Sequence, residues 1–154
     1  MREILFRGKR ISDGTWVTGS IWIEEDKVFI IGKIRYYPDT RDWDTMEYYE
    51  NHPHYTTGKI PVIPETVCQY TGLVDKNGNK VFEGDILKYT PRPNCEIYYK
   101  VIWHQEYSRF AFVQWSTHKY PLYELAEHEK AKYMCEVIGN VNDNPELLEK
   151  LEAK

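Results

Sequence analysis

The sequence predicts a mainly β protein, and three observations carry that prediction. Apolar and polar residues alternate with a period of two along most of the chain, the pattern of strands with one face in a core. Asp13-Gly14 and Asn77-Gly78 each fall between apolar stretches, where residues that tolerate positive φ close hairpins. Aromatic residues make up 15% of the chain, with 13 tyrosines and 5 tryptophans, and such side chains commonly serve as cross-strand pairs.

Arg2 to Arg7 alternates weakly and leads through Asp13-Gly14 into a strand that continues from Val17 to Glu24. Glu24-Glu25-Asp26-Lys27 reads as a turn, and Val28 to Tyr37 is β-branched enough to return alongside. These segments predict an amino-terminal β-meander with its own sheet, within residues 1–65. From Pro38 to Pro64 neither period is sustained; this Tyr-, Asp-, Thr- and Pro-rich stretch reads as a long irregular loop, over 38–64, packed by its own side chains.

Regular patterning resumes with Thr66 to Leu73 and Val81 to Leu87, which flank Asn77-Gly78 and predict a second hairpin. Ile97 to Trp103 and Arg109 to Trp115 predict a further strand pair, with Phe110 and Phe112 on one face and Ala111, Val113 and Trp115 on the other. Leu122, Leu125 and Ala126 share a stripe that predicts a short helix within Pro121 to Glu129. Tyr133 to Val141 reads as the last strand. Asn142-Asp143-Asn144 before Pro145-Glu146 reads as a helix start, with a cap, a proline at the first position and an acidic first turn. The expected core is Trp16, Ile21, Ile23, Phe82, Ile86, Val101, Phe112, Val137 and Ile138.

Gln69-Tyr70-Thr71-Gly72-Leu73, then Asp75-Lys76-Asn77-Gly78 and Glu83-Gly84-Asp85-Ile86, resemble the signature of the YopX family of phages and prophages. Ile4-Leu5-Phe6-Arg7-Gly8 is similar to that family's first strand, and Val137-Ile138-Gly139-Asn140-Val141 with Asn144-Pro145-Glu146-Leu147-Leu148 to its carboxy-terminal end. The stretch from Glu25 to Pro64 carries none of these matches. The resemblance implies a carboxy-terminal SH3-like small barrel, over residues 66–154, closed by the last strand and a short helix. It implies no settled activity. The matched residues have a structural reading that is preferred to a catalytic one: Gly72 and Gly84 meet backbone demands, Asn77-Gly78 closes a hairpin, Ile86 faces the core, and Asp85 bonds neighbouring N–H groups.

The composition, 42% hydrophobic and 29% charged, is that of a globular chain. No apolar run approaches the roughly 20 residues that span a bilayer, and Met1 to Arg10 lacks the apolar stretch of a signal peptide, so a cytoplasmic protein with no membrane partner is expected. Cys68, Cys95 and Cys135 are an odd set without a C-x-x-C pair, which argues against a disulfide framework and a thiolate zinc site.

His52 and His54 have a spacing that puts both on one side of an extended chain, with Asp42, Asp44 and Glu47 nearby. Pro53 between the histidines and the lack of a third clear ligand favour an ordinary solvated acidic loop, so no metal and no cofactor is expected. His104, His118 and His128 stand singly and read as solvated or hydrogen-bonded residues. No nucleophile signature surrounds the cysteines, and no Gly-rich loop joins a strand to a helix. The chain is therefore expected to be non-enzymatic, with a metal-dependent hydrolase the least favoured alternative.

Two binding classes remain. Aromatics on a small barrel can stack bases, and Lys88, Tyr89, Arg92, Tyr98, Tyr99, Lys100, Lys119 and Tyr120 form a candidate nucleic-acid or partner surface. The formal net charge of −4 opposes a phosphate backbone unless positive charge is gathered on one face. Exposed Tyr and Trp serve equally as interface anchors, a use that an acidic chain tolerates. A protein-binding or assembly module, with a protein partner or self-association, is thus the first expectation and nucleic-acid binding the second.

Overall fold

The computed structural model describes residues 3–36, 54–114, 122–125 and 128–152. They form two compact units, Leu5–Val67 and Cys68–Lys154 together with Met1–Ile4. Pairing among the described strands is antiparallel throughout. The mainly β class read from the alternation is the class of this chain.

In the amino-terminal unit, β1 (Phe6–Lys9) and β2 (Trp16–Glu24) join through the turn that holds Asp13-Gly14. Gly14 has φ 69°, and the Asp13 carboxylate accepts the Thr15 N–H at 2.9 Å and its hydroxyl at 2.7 Å, so side chain and backbone specify the same turn. β2 pairs with β3 (Lys27–Tyr36) across a tight turn where Glu24 faces Lys27 and Glu25 takes φ 55°. β3 pairs in turn with β4 (His54–Pro61).

β4 corrects the expectation of an irregular stretch up to Pro64. Gly58 and the nearby prolines mask its strand character, yet Ile60 faces Ile30 across the ladder and both are buried. Residues 38–53 of that stretch lie outside the described residues. Just past β4 the chain returns to the end of β1: Ile11 donates to the Pro61 carbonyl, Ile63 donates to that of Lys9, and Arg10 bridges Val62. Hydrogen bonds thus run around all four strands and back, which leaves little open edge for stray pairing. The enclosed core is aliphatic, with Val17, Ile30, Ile60 and Val62 buried. Gly8 lies so close to Val62 that a Cβ there would meet it at 3.0 Å. A 3-10 turn, Pro64–Thr66, ends the unit, and the Thr66 hydroxyl accepts the Lys9 N–H at 2.9 Å.

The carboxy-terminal unit opens with the hairpin β5 (Cys68–Val74) and β6 (Lys80–Phe82) around Asn77-Gly78, with Gly78 at φ 83°. A five-stranded sheet follows, built from β7 (Asp85–Arg92), β8 (Cys95–His104), β9 (Arg109–Gln114), β10 (Leu122–Leu125) and β11 (Cys135–Asn140) in the order β10-β9-β8-β7-β11. Helix α1 (His128–Met134) packs against β5, β7 and β11, and helix α2 (Glu146–Glu152) follows β11. Its core unites Val81, Leu87, Tyr99, Val101, Phe112, Ala131 and Cys135. Both faces of β9 are covered, since Phe110, Ala111, Phe112 and Val113 are all buried.

Two further corrections concern this unit. Leu122–Leu125, expected within a helix, is strand β10 in register with Gln114 to Ala111 of β9, so an open ladder overrides a short helical stripe. Tyr133 and Met134, expected in the last strand, end α1 instead and are exposed. Among the expected core residues, Phe82, Ile86, Val101 and Phe112 are buried, while Trp16, Ile21, Val137 and Ile138 are only half-buried. Ile23 is 64% exposed: β1 accompanies β2 only as far as Gly19, so among the described residues nothing pairs with β2 on that side at Ile23.

Candidate functional site

The residues that match the family signature hold the chain together. Asp75 is buried, and its carboxylate accepts N–H groups from Asn77 (2.9 Å), Asn79 (2.8 Å) and Val137 (3.0 Å) and the Asn79 amide (3.1 Å). Burial works to raise its pKa, but the backbone donors led by Val137 outweigh that and hold the carboxyl below its ordinary value. One side chain therefore shapes the β5–β6 turn and ties it to β11.

Asp85 is fully buried and accepts the Phe82 N–H at 2.8 Å. Gly84 takes φ 78° and donates to the Val101 carbonyl, while its own carbonyl accepts from Val141. The Thr71 hydroxyl donates to the Val81 carbonyl at 2.8 Å, and Tyr70 lies against Phe82 with centroids 5.5 Å apart. At the other matched end, the buried Asn140 accepts the N–H groups of Asn142 and Asp143 and donates to the Asp143 carboxylate, forming the turn into α2. Thr71, Asp75, Asp85 and Asn140 are thus each engaged in hydrogen bonds within the fold.

The surface expected around Lys88 is only partly assembled. Lys88 stands between Tyr98 and Glu136 on the neighbouring strands, and its ammonium lies 3.8 Å from Glu96. The Tyr98 hydroxyl donates to that same Glu96, and Glu136 pairs with Lys76 at 2.7 Å. Lys100 lies opposite Ile86, and Arg92 is exposed at the far end of β7. Tyr89 is half-buried against the core. Tyr99 must be corrected: it is 1% exposed inside the core, against Phe112, because its neighbours Tyr98 and Lys100 take the outer face and alternation sends it inward. Burial pushes its phenol up to about 12. Lys119 and Tyr120 lie outside the described residues.

Asp42, Asp44, Glu47, His52 and His118 also lie outside the described residues, and His54 starts β4 opposite Tyr36. His128 begins α1. His104 is half-buried beside the Tyr107 ring, with centroids 4.8 Å apart. Cys68 and Cys135 are buried thiols and Cys95 is half-buried. Among the described residues no three His, Cys, Asp or Glu side chains gather as a metal site, and no helix is long and apolar enough to cross a membrane.

Two features of the amino-terminal unit escaped the sequence reading. The first is an apolar cleft of about 380 Å³ at the turn end of the sheet, lined by Ile11, Val28, Phe29, Pro61, Val62 and Pro64, with Asp26 and Lys27 alongside. Ile11 beside it is 64% exposed, and the equally exposed Ile23 stands directly opposite Val28.

The second is the outer face of the sheet. Lys59 projects over the rings of Trp22 (4.5 Å) and Phe29 (5.8 Å) and pairs with Glu24 at 2.9 Å. Arg7 and Lys9 lie over the Trp16 ring at 4.7 and 5.5 Å. The signal for both features was the exact strand register, which requires β4 to be recognised as a strand.

A family model described as YopX protein matches residues 6–149. No curated protein matches the chain. Among solved structures, the crystal structure of protein EF1440 from Enterococcus faecalis is similar at 21% identity with a TM-score of 0.56, over 96% of this chain and 99% of that one. At that identity the likeness shows a shared fold.

Proposed function

The chain belongs to the YopX family, and we propose that it works as a non-enzymatic protein-contact module whose docking point is the apolar cleft of the amino-terminal unit. The carrying observation is that Ile11 and Ile23 are each 64% exposed next to a cleft lined by Val28, Pro61 and Val62. Aliphatic surface left in water favours burial by about 25 cal/mol per Å², and a concave apolar floor gives a partner's side chain something to fill. Asp26 and Lys27 supply a polar rim around that floor, the arrangement of small protein interfaces. In this reading the carboxy-terminal unit is the SH3-like scaffold, since its signature carboxylates are engaged in holding turns together. The partner is an aliphatic protein segment, from a second copy or from another chain of the same phage or host cell.

A photoreactive aliphatic residue placed at position 11 tests this in cells. A discrete cross-linked protein adduct is expected, and Ile23→Lys should reduce its yield about tenfold, the effect of losing one apolar anchor. A chain that forms no adduct and sediments as a monomer at every concentration overturns the reading.

A further inference from the structure

We propose that the outer face of the amino-terminal sheet binds single-stranded nucleic acid, with Trp22 and Tyr55 stacking on bases and Arg7, Lys9, Lys33 and Lys59 following the phosphates. Strand register assigns these residues to one face. Lys9 lies opposite Trp16, Trp22 opposite Phe29, Phe29 opposite Pro61, and Lys33 opposite Thr57, so the odd positions of β1, β3 and β4 and the even positions of β2 share a side. The core residues Val17, Ile30 and Ile60 occupy the other side. The contacts of Lys59 with the Trp22 and Phe29 rings confirm the grouping.

The charge on this face runs against that of the chain. Overall, 24 acidic residues exceed 20 Lys and Arg. On the outer face, Arg7, Lys9, Lys33 and Lys59 stand with a single strand carboxylate, Glu24, which is already engaged by Lys59. An acidic protein that concentrates cations on one sheet presents the local field a polyanion needs. The carboxy-terminal sheet is the contrasting case, where Lys88 is flanked by Glu96 and Glu136.

Aromatic exposure selects the type of polyanion. Trp22 is 48% and Tyr55 58% exposed, large rings on a strand surface with cations around them. Bases reach such rings only when they are not stacked in a duplex, so the face suits a single strand. Flexible lysines and rings without a fixed array of donors imply weak sequence preference. The stacking rings Trp22 and Tyr55 lie outside the lining of the aliphatic cleft at Ile11, although Phe29 and Pro61 border both.

Fluorescence anisotropy of a labelled oligothymidylate of about 15 nucleotides, within the span one small β-fold covers, tests the proposal on the full chain. Binding should weaken as salt rises between about 50 and 200 mM, with a log–log slope of about −2 to −3 for three or four phosphate contacts. Trp22→Ala should weaken it roughly tenfold and Trp22→Phe less, since a ring is kept. Lys59→Gln should weaken it and flatten the salt slope by about 0.7, whereas Lys88→Gln should leave it unchanged. Circular dichroism of each variant separates lost binding from lost folding. No anisotropy change at the lowest salt overturns the proposal, as does an affinity indifferent to Trp22 and Lys59. Competition by polyglutamate equal to that by unlabelled oligothymidylate also overturns it, and identifies an acidic protein segment as the occupant.

Discussion

In the carboxy-terminal unit Tyr99 and Phe112 are 1% and 0% exposed, with ring centroids 5.9 Å apart, at the centre of a core that also takes Cys135 and Ala131. In the amino-terminal unit the core is aliphatic, and Trp16 and Trp22 stand on the outside of the sheet beneath Arg7, Lys9 and Lys59. The contrast comes from what covers each sheet. α1 packs on β5, β7 and β11 and adds Ala131 to the core of the second unit, so rings fit inside. The first unit closes its four strands around a narrow interior, where an added Cβ at Gly8 would meet Val62 at 3.0 Å, and Trp16 and Trp22 are left on the outer face.

If rings in one unit carry stability and rings in the other carry contact, substitutions should differ in size by an order of magnitude. Phe112→Ala, which empties a fully buried ring position, is expected to cost about 3–5 kcal/mol. Denaturant unfolding measures this, and a loss below about 1 kcal/mol would show that the core tolerates the cavity.

The polar counterpart of that core is Asp75. Asp75→Asn sets an amide NH2 against the N–H of Val137 or the amide of Asn79 and should cost about 3 kcal/mol. Because the folded-state pKa lies below the ordinary 3.8, the carboxylate's stabilisation is fully present above that pH and is lost as pH falls through the folded value. The gap between wild type and Asp75→Asn in urea melts should therefore be constant near neutrality and narrow below about pH 4. A gap that widens in acid would contradict this assignment.

The smallest effect belongs to the outer face. Trp22→Ser removes an exposed ring and its contact with Lys59, and thermal unfolding should register a loss of only about 0.5 kcal/mol. A loss comparable to that of Phe112→Ala would make Trp22 a structural residue and erase the distinction between the two units.

Several elements were legible before any coordinates. Asp13-Gly14 and Asn77-Gly78 specify their turns through positive φ, a local demand that few residue types meet. The alternation from Val81 onward placed Phe82, Ile86, Val101 and Phe112 in the core. The structural role of Asp85 was also readable, because a carboxylate just after a tight Gly turn finds N–H donors within a few residues, and Phe82 supplies one.

Other features needed distant parts of the chain. β4 has weak intrinsic strand character and forms because β3 offers eight pairing positions. β10 yields a helical stripe to the ladder of β9. Tyr99, expected on a surface, faces inward because the parity of a strand is set by which side its neighbours cover, and a period of two cannot tell inside from outside. The same holds for the cationic outer face and the apolar cleft: Arg7, Trp22 and Lys59 are 15 to 52 residues apart in the chain and meet only through strand pairing. Short-range backbone preference was therefore written in the sequence, whereas the choice of buried face and the assembly of binding surfaces belonged to tertiary structure, because both depend on long-range cover that no local window contains.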